Sequence, residues 1–184
     1  QEVTPSLPEE SADQQEETPE EEKSEPIDIQ GLLKVTQATA GDMRALNKLI
    51  NSQGAALKLF GVDKKSLQSQ LADQLATLQA IEGVLKKGDG EEAQRLSEEQ
   101  DEFESDSLKQ LMPLLQKTYE SVKKVSNKEI KKLLVNAFKP VRESMSAGDF
   151  GDAQEALNQY AAELKKNQKL YAAKKLTKTA KKQI

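Results

Sequence analysis

Leu67, Leu71, Leu75, Leu78, Ile81 and Leu85 recur at steps of three and four residues. An α-helix, at 3.6 residues per turn, places such positions on one face, whereas a strand scatters them over both. The pattern returns in Ile130, Leu134, Ala137, Phe138, Val141 and Met145, and again in Ala153, Leu157, Tyr160, Leu164 and Tyr171. Nowhere do β-branched residues alternate with polar ones over a useful length, so no sheet is expected. The spacing predicts an all-α fold: an antiparallel bundle of four to six helices.

The punctuation between these stretches is local chemistry. Gly61-Val62-Asp63 reads as a stop followed by a new cap, Gly88-Asp89-Gly90 ends the Leu67–Leu85 helix, and Ser126-Asn127 caps the next one. Asp42, after Thr39-Ala-Gly, reads as a break or recap within a face that starts at Ile29, Leu32, Leu33 and Val35 and continues through Met43, Leu46, Leu49, Ile50, Leu57 and Phe60, weakened at Gly54. Pro113 predicts a kink, or a split near Ser107, in a helical segment from Glu91 to about Val125, and Pro140 predicts a second kink.

Two segments align at an offset of 60: Leu78, Ile81 and Leu85 with Phe138, Val141 and Met145, Gly88-Asp89 with Gly148-Asp149, and Ala93-Gln94 with Ala153-Gln154. They read either as duplicated helical hairpins or as two uses of Gly-Asp, a good helix corner because Gly permits the left-handed exit and Asp supplies the next cap. Thr39-Ala-Gly-Asp42 resembles Ser146-Ala-Gly-Asp149 and reads as a third corner. The piece GDFGDAQEALNQY is similar to the helix openings of tetratricopeptide repeats over about a dozen residues. The 60-residue period departs from that family's 34, so its peptide groove is not carried over.

Charge divides the chain. Residues 1–28 hold eleven acids and one base, Lys23, and almost no apolar side chain; they are expected to be a disordered acidic tail. Residues 29–163 are expected to form the bundle, and 164–184, with eight lysines and no acid, to continue its last helix. Hydrophobic residues make up only 36% and aromatics 4%, so the core must come mainly from Leu and Ala on slender helices.

There is no His and no Cys. That removes the usual general base near neutral pH, the Ser–His and Cys–His nucleophile pairs, disulfides and thiolate metal sites. The acids Glu91, Glu92, Glu98, Glu99, Asp101, Glu102, Glu104 and Asp106 are placed on one helix, where they read as a solvated face rather than an opposed catalytic pair. Ser121-Val-Lys123-Lys124 matches the Ser-x-x-Lys of penicillin-recognising enzymes, but its companions are misplaced or incomplete, so the match reads as chance. No phosphate-binding glycine motif is present.

The segment most like a contact surface is the lysine-rich end: Lys165, Lys166, Lys169, Tyr171, Lys174, Lys175, Lys178, Lys181 and Lys182. Its field suits an acidic protein, an anionic lipid or phosphates. Without Arg or Trp there, sequence-specific nucleic-acid readout is not expected. No apolar run reaches the ~20 residues of a membrane span. The chain begins with Gln, which is compatible with removal of a signal or transit peptide. The expectation is therefore a secreted, periplasmic or organelle-lumen protein, with a trimmed cytoplasmic one as the alternative. The expected function is a non-enzymatic protein-interaction module without cofactors, the rival being a lipid-surface-binding bundle that uses its lysine-rich helix.

Overall fold

A computed structural model of the protein describes residues 26–100 and 102–171. The proposed disorder of the acidic tail, and Lys174, Lys175, Lys178, Lys181 and Lys182, lie outside the described residues, apart from Pro26–Asp28. The described residues are all-helical, in nine segments: α1 (Ile29–Ser52), α2 (Gly54–Leu59), α3 (Lys64–Lys86), α4 (Gly90–Glu99), α5 (Ser105–Lys123), α6 (Lys128–Ala137), α7 (Lys139–Ala147), α8 (Phe150–Lys166) and α9 (Gln168–Tyr171). This exceeds four to six because long amphipathic stretches are divided, at Gln53, Gln100–Glu104, Phe138 and Asn167.

The helix starts follow local capping. The carboxylates of Asp28, Asp63 and Asp89 accept from the backbone N–H of Gly31, Lys65 and Glu92, and Asn127 accepts from Glu129 and Ile130. Each satisfies donors that a first helical turn leaves without an intrahelical partner. Asp28 therefore belongs to the fold, as does Ile27, whose side chain lies over Gly90.

Three helices end on the same hydrogen-bonded exit. Gly61, Gly88 and Gly148 take φ of 68°, 81° and 81°, a region costly for residues with a Cβ. The following N–H reaches back five residues each time, Val62 to Leu57, Asp89 to Val84 and Asp149 to Ser144, all at 2.9 Å. The two Gly-Asp corners thus share the glycine exit, but Asp89 caps its next helix with its side chain and Asp149, against expectation, does not, and their surroundings differ. Phe150 after the second is fully buried against Phe103, with ring centroids 5.4 Å apart. Gly90, its counterpart after the first, instead leaves room for Ile27.

Other breaks fall differently from the sequence expectation. Thr39–Asp42 is no corner: α1 runs through it, because Thr36, Ala40, Met43, Leu46 and Ile50 keep one buried stripe in register. Leu32 and Val35 fall off that stripe and are exposed. Pro113 does not end α5; it lies on an exposed face, where water can reach a carbonyl left without its helical donor. The split comes earlier, at Gln100–Glu104, where Phe103 turns onto Phe150. Pro140 sits in the first turn of α7, where its missing N–H costs nothing.

The packing forms two clusters. α1 and α3 run in opposite directions, with Gln37 bonded to Glu82 and Gln68 to Asn51. The start of α1, the end of α3 and α4 enclose a small core of Ile81, Leu85 and Ala93, flanked by Ile29 and Leu33. The main core draws on α1–α3 and α5–α8 and centres on Phe60, Phe138 and Phe150. Within it, α5 and α8 run parallel. Glu104 at the start of α5 accepts from the Gly151 N–H at 2.6 Å, and Gln110 pairs with Gln154 further along. An antiparallel arrangement throughout is therefore corrected at this pair: α6 and α7 return the chain before α8 begins, so α8 starts where α5 starts.

Candidate functional site

The far ends of the parallel pair do not close against each other. Between the C-terminal halves of α5 and α8 lies an open cleft of about 560 Å³. Its apolar surface comes from Leu114, Val125, Ala161, Leu164 and Tyr171, and its cations are Lys117, Lys124 and Lys165. No carboxylate is among the described residues that line it. The spacing explains the geometry: Leu114, Lys117, Thr118 and Ser121 fall on one side of α5 at three- and four-residue steps, and Lys124 and Val125, just past its end, continue that side. The adjacent side of that helix, about a quarter turn away, with Leu111, Leu115 and Val122, fills the core.

A second groove of about 290 Å³ lies on the other flank of α8, toward α6 and α7. It shares Leu164 and Tyr171 with the first. The last turns of α8 and the short α9 thus form a ridge undercut on both sides. The base of that ridge is stiff. Phe60 stacks on Phe138 with centroids 4.0 Å apart, and Tyr160 meets both rings edge-on. The Tyr160 hydroxyl donates to the Leu134 carbonyl at 2.7 Å, and burial holds its ionisation well above the ordinary tyrosine range. Tyr171 is shifted in the same direction, chiefly by burial.

The hydroxyls that line the cleft have partners of their own. The Thr118 hydroxyl donates to the Leu114 carbonyl at 2.8 Å and that of Ser121 to Lys117 at 3.2 Å, so both are tied back onto their own helix. Ser121 and Lys124 do share the cleft wall, but on successive turns of one exposed helix edge.

Of the lysine-rich segment expected to make contacts, Lys165 lines the cleft and Tyr171 is buried in its floor, while Lys166 and Lys169 face solvent outside the lining. Lys117 and Lys124 were not singled out by sequence. Their signal was present as a lysine pair seven residues apart, two turns of helix, on an otherwise mixed-polarity face.

The acidic stretch is not one helical face. Glu91, Glu92, Glu98 and Glu99 lie on α4 and Asp106 on α5, separated by the chain turn that seats Phe103. Arg95 pairs with Glu92 and Glu99, and that guanidinium favours the charged form of Glu92, holding its pKa below the usual carboxylate value. Glu104 serves the α8 N-terminus. Among the described residues no group of three or more acids is placed to hold a metal ion, and no helix is long and apolar enough to cross a membrane. No protein-family model, curated protein sequence or solved structure matches the chain.

Proposed function

We propose that this chain is a non-enzymatic protein-interaction module, a helical bundle whose docking surface is the cleft between α5 and α8, and that its partner presents an acidic segment carrying apolar side chains. The observation that carries the reading is the composition of the cleft: an apolar floor rimmed by Lys117, Lys124 and Lys165, with no acid among its described lining. An apolar centre with a charged rim of one sign favours a partner of opposite sign and disfavours others. The long helices α1, α3, α5 and α8 form the frame of the bundle, and the shorter segments close it. The lack of His and Cys, and hydroxyls committed to backbone carbonyls, support a role without catalysis.

The test is a fluorescent acidic peptide of alternating Glu and Leu character, titrated against the full chain and against a Lys117→Gln/Lys124→Gln/Lys165→Gln variant. An exposed ion pair contributes roughly 0.2–1 kcal/mol, so removing three cations should weaken binding about tenfold. Raising salt should shrink the difference. Equal binding by both proteins would sink the cleft as the site. Anionic vesicles of phosphatidylserine and phosphatidylcholine form the second arm: vesicle binding without peptide binding would replace this reading with the lipid-surface one.

A further inference from the structure

The chain itself carries a segment with the chemistry that the cleft selects. Residues 1–25 hold ten acids and one lysine, and their two large aliphatic side chains, Val3 and Leu7, stand ahead of the acidic run. We propose that this N-terminal arm occupies the α5–α8 cleft of its own chain and competes there with the external acidic partner. The inference rests on the cleft being a docking surface, as argued above.

Three observations carry it. The charges are complementary: a net −9 arm faces a rim of Lys117, Lys124 and Lys165. The alternative internal occupant, residues 172–184, leaves from Tyr171 beside the cleft but carries five lysines and no acid, so the rim repels it.

The third observation is reach. The arm joins the fold at Ile27, which lies over Gly90 at the small core. From there the path follows α1 to Asp42, which lies beside Ser105 and Asp106, then α5 to the cleft. At 1.5 Å per residue those two legs come to roughly 40 Å. Leu7 and Val3 precede Pro26 by 19 and 23 residues. Such a length spans at most about 65–80 Å, with a root-mean-square extension near 25 Å if flexible. The apolar pair can therefore arrive without a taut chain, at an effective concentration of millimolar order. That exceeds the concentration of a second copy in a micromolar solution, so the arm of the same chain is the favoured occupant.

Competition of this kind multiplies the partner's apparent dissociation constant by one plus the ratio of effective concentration to the arm's own dissociation constant. For an arm that binds at 0.1–1 mM the factor is about two to ten. The experiment keeps the full chain and changes Glu9, Glu10, Glu16, Glu17, Glu20, Glu21 and Glu22 to Gln. The expected result is two- to tenfold tighter binding of the acidic peptide probe, together with low-salt amide shifts at Lys117, Ser121, Lys124 and Val125 relative to the native chain. Those shifts should vanish at high salt and be independent of protein concentration. Equal probe affinity for the two proteins, with no cleft shifts, overturns the arm while leaving the cleft reading intact. Probe bound by neither protein overturns the cleft reading itself. Shifts that grow with protein concentration assign the arm to a second copy and overturn the intramolecular form.

Discussion

Replacing Arg142 with Met isolates one polar fastening between the end of α2 and the end of α6, which also meet through the Phe60–Phe138 stack. The Arg142 guanidinium donates through Nε to the Phe60 carbonyl at 2.8 Å and through Nη2 to the Val135 carbonyl at 3.2 Å. Phe60 ends α2, and Val135 lies in the last turn of α6, where its carbonyl also accepts from the Phe138 N–H at 3.2 Å, so one cation serves two helix C-termini. Met keeps most of the stem's packing and removes both bonds. A hydrogen bond to a charged group contributes about 1.5–3 kcal/mol, less where water can substitute. Arg142 is half-buried and the Val135 contact is long, so the pair together should be worth about 2–3 kcal/mol. At about 2–4 °C per kcal/mol for a chain of this size, Tm should drop about 5–10 °C. Urea unfolding followed by far-ultraviolet circular dichroism should show a lower midpoint with an unchanged slope. Arg142→Lys should recover only part of the loss, since one ammonium cannot span both carbonyls as the fork does. A loss below about 0.5 kcal/mol in the Met variant would show that solvent already serves these carbonyls, and the fastening argument would fail.

Other consequences follow from glycines, caps and the buried phenol. Gly41→Ala should stabilise the protein by about 0.5–1 kcal/mol in a thermal melt, because Gly41 lies inside α1 with no atom within 4 Å of an added Cβ. Gly148→Ala should destabilise by about 1–2 kcal/mol, because the residue has φ 81° and an added Cβ would stand 3.0 Å from the Gln70 amide oxygen. Glu104→Ala should cost about 0.5–1.5 kcal/mol and speed hydrogen exchange at the Gly151 amide, whose acceptor it removes. For Tyr160, the folded state holds ionisation above the ordinary value of 10.0. The unfolded chain therefore loses its proton first, and stability is retained below pH 10 and falls as pH rises above it. Tyr160→Phe should flatten that alkaline fall in pH-dependent urea midpoints while costing about 1 kcal/mol near neutral pH through loss of the bond to Leu134.

The candidate site was only partly legible. Lys165 and Tyr171 stood in a conspicuous run of lysines, and both reach the cleft, but composition alone cannot distinguish a lysine on its rim from Lys166 or Lys169 beside it. One residue along a helix turns a side chain by about 100°, and which turn matters depends on where a neighbouring helix lies. Lys117 and Lys124, although seven residues apart, could not be told from solvated lysines for the same reason. Their face of α5 resembles any solvated face until α8 comes alongside and leaves a gap.

Signals contained within one or two helical turns were determined by the sequence itself: the helical class from apolar spacing, the starts at Asp63 and Asn127, and the exits at Gly61, Gly88 and Gly148. Each depends on hydrogen bonds and torsions among neighbours in the chain. Tertiary packing decided the rest. It carried α1 through Thr39–Asp42 because burial of Ala40 and Met43 outweighs a weak local stop. It turned the acidic segment at Phe103 because that ring gains more against Phe150 than a continuous helix would allow. It also set α5 parallel to α8, and with that pairing created the cleft between two faces that lie some forty residues apart in the sequence.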